Sequence, residues 1–250
     1  MNKQSKILII GEGAKAERRL MEYLCQQYGI QRKAFVTYGA IIYDLYDKIT
    51  SQYTSDWTGL NIQLMLQEYA RPEDLPILQD NYTDILLVFD FDPGDNRYSA
   101  EKLMKLVKFF AHSEREGRLY INYPMLESIL DFSSLDLDGS NDFLQSKVGK
   151  AEFVPDSKYK RKVNQEGCIH QLENIDKTSL NAIIRLVLRK LSGILHIETP
   201  DADSMAQTLQ KLAKAQTNLW EKDLSVFVLN TCCLFLYEYR PDMLNRASEY

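Results

Sequence analysis

Histidine is scarce in this 250-residue chain, where only His112, His170 and His196 occur. Cysteine is nearly as rare: Cys25, Cys168, Cys232 and Cys233 show no CxxC spacing. Cys168-Ile169-His170 has the spacing of half a metal site, but nothing supplies a second half, so a zinc site is not expected. The adjacent pair Cys232-Cys233 lies in an apolar run and reads as two small core residues. An excess of positive charge is also missing. The net charge is −5 and the isoelectric point about 5.4, so bulk charge does not draw the chain onto nucleic acid. No run of 18 uncharged apolar residues exists, and no transmembrane helix is expected. The segment MNKQSKILII begins with basic residues and a short apolar run. Charged residues from Glu12 onward stand where a signal peptide would need small ones, so the segment is expected to be a buried first strand of a cytoplasmic protein. Internal repeats and low-complexity tracts are absent.

What the chain does have is 45% apolar residues and a regular alternation of strand-like and helix-like segments. Residues 6–11 (KILIIG), 33–38 (KAFVTY), 84–89 and 118–122 (RLYIN) read as strands. Between them lie helical patterns, with Leu20, Tyr23, Leu24 and Tyr28 on one face, then Ile41–Ile49, Asn61–Tyr69, and Leu103, Val107 and Phe110. Pro124 is expected to open a further helix over PMLESILDF. Near-continuous apolar strands alternating with helices predict a mostly parallel α/β sheet covered on both faces. Residues 133–165 look irregular. From Asp176 the pattern turns helical: Leu180, Ile183, Ile184, Val187, Leu188 and Leu191 follow one face, and further helices are expected over 203–217 and 219–239. The expected organisation is an α/β domain over 1–165 and an all-helical C-terminal region over 166–250.

The chemistry is concentrated in two short segments. FDFDPGD, Phe89 to Asp95, ends the apolar run Ile85–Val88. On an extended backbone Asp90 and Asp92 would share one side, at the sheet edge where open α/β sheets place their ligands. Paired carboxylates suit a hard cation such as Mg2+. A plain Pro-Gly turn, with Asp95 and Asn96 capping the next helix, accounts for those two residues but not for the acids before Pro93. The second segment is GEGAKAE. Glu12 follows the first strand between Gly11 and Gly13, and Glu17 lies one and a half turns on, where a helix dipole alone also favours an acid. The segment matches neither GxxxxGK[ST] nor GxGxxG, which argues against P-loop and Rossmann nucleotide sites. Lys158-Tyr159-Lys160-Arg161-Lys162 is the densest positive cluster, and such runs are more often solvated surface than a polyanion site.

An acid after strand one together with DxD after a later strand resembles the Toprim domain of topoisomerases, primases and OLD-type nucleases. The resemblance is closest to small Toprim-like proteins of the RloB and abortive-infection type. It spans roughly residues 6–165. Glu12-Gly13 and Glu17 match the start of their pattern, Asn122-Tyr123-Pro124 leading to Glu127 matches their Asn-Pro-like segment, and Tyr159-Lys160 matches a Tyr-Lys pair. Pro93-Gly94 departs from relatives that often place a charged residue or enter the helix directly after the second Asp, which leaves Asp95 as third ligand or helix cap, the cap being favoured.

The resemblance implies a Mg2+- or Mn2+-dependent nuclease cleaving phosphodiester bonds in DNA or RNA, tRNA included, as the effector of an anti-phage defence system. In that picture Asp90 and Asp92 hold the metal and Glu12 is ligand or general base. Glu17 and Glu127 hold a second ion, and Lys160 or a neighbour stabilises phosphoryl charge. It also implies an ABC-type ATPase partner, with the C-terminal helices as a docking or dimerisation surface. Two other readings stand beside it: a non-catalytic, metal-binding regulatory or toxin-like subunit, and a primase-type nucleotidyl transferase.

Overall fold

A computed structural model describes residues 6–53, 56–138, 141–153, 158–169 and 171–241. His170, the second half of the Cys-x-His spacing, lies outside the described residues. Strand β1 (Ile7–Gly11) leads through α1 (Ala16–Gln27) to β2 (Lys33–Thr37). Helices α2 (Ile42–Gln52), α3 (Ile62–Gln67) and α4 (Leu75–Leu78) carry the chain to β3 (Asp84–Asp90). Then follow α5 (Ala100–Phe109), β4 (Ala111–His112) and β5 (Gly117–Asn122). The sheet order is β2-β1-β3-β5-β4, with the first four strands parallel and β4 antiparallel to β5. The mostly parallel, helix-flanked α/β sheet is therefore present. Its strands read as apolar runs because helices cover both faces: Ile7, Leu8, Leu86, Leu87, Val88 and Phe89 are fully buried.

From β1 the chain goes outward to β2, and from β3 it goes the opposite way to β5. The connections leaving the C-terminal ends of the neighbours β1 and β3 thus diverge and leave a crevice, the switch point where sheets of this kind bind ligands.

Beyond the sheet, the described residues of the 133–165 segment form more regular structure than the composition suggested. It contains a 3-10 turn (Asp142–Gln145), β6 (Lys147–Gly149), α6 (Lys150–Phe153) and α7 (Lys158–Glu166). The C-terminal part is helical, with α8 (Lys177–Leu195) capped by Asp176, α9 (Met205–Asp223) and α10 (Leu234–Tyr239). The helix expected over 219–239 is interrupted. Leu224 takes a left-handed conformation (φ 48°) and ends α9, and β7 (Ser225–Phe227) turns back to pair with β6. Leu229 then bridges Tyr123, and Thr231 Oγ1 donates to the Ile121 carbonyl at 2.8 Å. With α9 packed on α5, the C-terminal helices are built onto the sheet. The helix expected from Pro124 is likewise replaced. Met125 is extended (φ −156°, ψ 176°), and only a 3-10 helix forms, at Leu126–Leu130. The reason is competition: the carbonyls of Asn122 and Pro124 both accept from Phe91 N–H, and Tyr123 bridges Leu229, so residues 122–124 are tied to neighbouring segments at and just past the end of β5. Among the described residues no helix is long and apolar enough to cross a membrane.

Candidate active site

β3 ends on Asp90, and the F-D-F-D alternation sorts its side chains. Phe89 and Phe91 are fully buried, while Asp90 and Asp92 keep partial exposure. Phe91 anchors the turn, its ring 5.1 Å from that of Tyr123 and 5.8 Å from that of Tyr98. Tyr43 Oη, from α2, donates to the Phe91 carbonyl at 2.6 Å. Asp92 itself lies past the strand in a left-handed conformation (φ 41°). The strand-alternation argument therefore holds for Asp90 and stops there; the turn, not the pleat, aims Asp92.

The two ends of the crevice are joined directly. Glu12 follows β1, its N–H donating to the Val88 carbonyl at 3.1 Å, and its Oε2 accepts the N–H of Asp90 at 3.2 Å. Burial and the neighbouring Asp92 charge push the Glu12 pKa up to about 8. Asp92 is pushed to about 6 by burial and by Asp95. Asp90 is raised well above the carboxylate range by burial, then by Glu12 and Asp92. Its side-chain contact is Asn122 Nδ2 at 3.5 Å, from its register partner on β5. Glu17 and Glu127 add to the negative potential at Asp90. Glu17 is buried on α1 beneath Gly13, where a Cβ would come within 2.6 Å of Glu17 Oε2. That close approach is the use of the glycine. Lys160, from α7, pairs with Glu127; this hydrogen bond raises its pKa, and Asp90 and Glu17 act in the same direction. All six sequence-derived residues, Glu12, Glu17, Asp90, Asp92, Glu127 and Lys160, thus lie within electrostatic reach of one crevice.

Asp95 is not a helix cap, and it reaches this set only through its charge on Asp92. Ser99 caps α5, accepting from Lys102 N–H at 3.4 Å. Asp95 instead accepts Arg97 Nε and Nη2 at 2.8 and 3.0 Å, and that guanidinium also pairs with Asp44 on α2. The arginine holds the Asp95 pKa down at about 2. Sequence reasoning missed Arg97 and Tyr43, which pin the turn, and the direct contact of Asn122 with Asp90. An asparagine directly after the apolar run Leu119–Ile121 is the signal that points to the last of these. Tyr159 is also placed structurally: it is buried and donates to Asp131 Oδ2 at 2.9 Å.

Asp90, Asp92 and Glu12 form no ion pair among the described residues, because the nearby cations are engaged elsewhere: Lys160 with Glu127, Arg97 with Asp95 and Asp44. Hard oxygen donors that no cationic side chain pairs with fit a divalent cation, whose binding would displace the protons their raised pKa values retain. As they stand, no three His, Cys, Asp or Glu side chains among the described residues converge closely enough to enclose an ion. No family model, curated protein or solved structure matches the chain.

Proposed function

We propose that the crevice between β1 and β3 performs Mg2+- or Mn2+-dependent cleavage of phosphodiester bonds in nucleic acid. The observation that carries this reading is the group Glu12, Asp90 and Asp92 at the sheet's switch point, without a cationic partner among the described residues and with Lys160 beside it. Asp90 and Asp92 would hold the metal, with Glu12 completing the set and Glu17 and Glu127 available to a second ion. A divalent cation bound there supplies Lewis acidity, activating water and neutralising phosphoryl oxygens. Glu12 would serve as a ligand or as the general base; its raised pKa belongs to the metal-free site, and a cation held by Asp90 and Asp92 would lower it. Asn122 steadies Asp90, and the Arg97 clamp with Tyr43 holds the Asp92 turn. Lys160 would meet a phosphate once that anion competes with Glu127 for it.

By resemblance alone, the same reading makes the protein a cytoplasmic effector of anti-phage defence that works with an ABC-type ATPase. The Lys160–Glu127 pair favours a second reading, in which the site binds a cation and signals to a partner without cleaving.

Purified protein incubated with Mg2+ or Mn2+ and plasmid, RNA or tRNA separates these readings. Cleavage should fall by about a hundredfold or more in Asp90→Asn and Glu12→Gln. Undiminished cleavage in both variants would overturn the assignment. Metal binding lost in Asp90→Asn, with no cleavage by the wild type, would favour the second reading.

A further inference from the structure

A cavity of about 390 Å3 opens beside the Lys160–Glu127 pair, between α1, the 126–130 helix and α7. We propose that it receives one unpaired nucleobase next to the scissile phosphate, so that the substrate is a single strand or an open loop. This rests on the phosphodiester reading and narrows its substrate class.

Three observations carry the assignment. The cavity shares Glu127 and Lys160 with the site, so an occupant lies beside any phosphate that Lys160 touches. Its lining combines the aliphatic Leu20, Leu126, Ile129, Leu130 and Leu172 with the polar Arg19, Asn164 and the Gln171 amide at the exposed rim. That combination suits a base, which has apolar faces and an edge of donors and acceptors that an amide can meet. The volume lies in the range of sites for small organic ligands. Charge agrees: α7 contributes the cavity's Lys160 and carries exposed Lys158 and Lys162, a track for a phosphate backbone in a chain that is otherwise net acidic. A base stacked inside a duplex cannot enter such a cavity without leaving its partner.

The test measures binding rather than turnover, with Ca2+ replacing Mg2+. The probes are a labelled single-stranded heptamer, a heptamer of the same backbone lacking all bases, and a duplex. The intact single strand should bind about tenfold more tightly than the abasic strand or the duplex. Ala16→Trp, which fills the cavity from its exposed rim, should abolish that advantage while leaving abasic binding unchanged. Ala16→Phe serves the same purpose should the larger ring lower the Tm.

Equal binding of intact and abasic strands, or an advantage that survives filling the cavity, overturns the proposal and leaves the cleavage reading standing. A cavity-dependent advantage without cleavage in Mg2+ or Mn2+ upholds the base site and sinks the catalytic reading. Binding of none of the probes sinks both.

Discussion

Glu12 Oε2 accepts the backbone N–H of Asp90 at 3.2 Å, which ties the acid after one strand to the main chain of its neighbour. A carboxylate usually gains acidity from such a bond, yet burial and Asp92 outweigh it here, and the Glu12 pKa rises to about 8. Two acids that would repel in water are held together by the sheet. Folding supplies the energy that brings them together, and a cation or a proton must balance the charge.

That balance predicts an unusual pH profile in the absence of metal. For a carboxylate whose folded pKa is raised, the folded state binds more protons than the unfolded one between the two values, so stability falls as pH rises. Glu12 gives a window from about 4.5 to about 8 and Asp92 one from about 3.8 to about 6. Asp95, lowered to about 2, acts in the opposite direction but only below about 3.8. In EDTA the Tm at pH ~8 should therefore lie about 5 °C below that at pH ~5.5. Glu12→Gln should flatten the slope, and excess Mg2+ should reverse it, because ligands must be deprotonated to bind metal. A Tm that rises with pH in EDTA would contradict the assigned shifts.

Asp92 offers a way to separate backbone strain from metal binding. Its φ of 41° is accessible to glycine without steric cost, whereas alanine has no polar side chain to support it. Asp92→Gly should thus be about 1 kcal/mol more stable than Asp92→Ala in urea titrations. Both should lose Mn2+ affinity alike, by calorimetry or electron paramagnetic resonance. Equal stability of the two would mean that the turn relaxes when the carboxylate is gone.

The parts of this molecule that were readable from sequence are those whose signal is local. β1, β3 and β5 are buried on both faces, so each stands out as an apolar run, and Asp90 and Glu12 were found as acids ending such runs. Features fixed by distant partners were not readable. β7 exists because residues 225–227 meet β6 at 147–149, and without that partner Val226, Phe227 and Val228 pass for part of a helix. The two-residue β4 is too short to show a period. Asp95 resembled a cap because its role depends on Arg97 and Asp44, the latter on another helix, while the actual cap, Ser99, offers a hydroxyl oxygen that accepts the same kind of helix N–H.

Lys190 on α8 is buried, yet its Nζ donates to Phe143 O at 2.7 Å, Ser146 O at 2.8 Å and Ser146 Oγ at 2.7 Å. Burial drives its pKa well below the lysine range, against the opposing charge of Asp131. The residue fixes the turn that launches β6. Lys190→Met preserves length but removes the donors. Ser146 Oγ still bonds to Phe143 O at 2.9 Å, and Val228 N–H to Ser146 O at 3.2 Å, so the acceptors are not fully orphaned. A loss of about 2 kcal/mol follows. Hydrogen exchange should accelerate first at the β6–β7 amides. A uniform change across the sheet would show that Lys190 acts on the whole core and not on this ladder.

Gly13 provides the most selective probe of Glu17. Its φ lies outside the left-handed region, so alanine meets no backbone strain, but the added Cβ would stand 2.6 Å from Glu17 Oε2 and 3.1 Å from Oε1. The carboxylate must move, while β1 and the helix need not. Gly13→Ala should therefore stay within about 1 kcal/mol of wild-type stability and weaken Mn2+ binding by about tenfold. Shortening the displaced acid relieves the contact, so the double variant Gly13→Ala, Glu17→Asp should recover part of the affinity. That positive coupling distinguishes a steric effect on Glu17 from a general loosening of the glycine turn. If the double variant binds metal no better than Gly13→Ala alone, Glu17 is a buried helix residue without a part in the cation site.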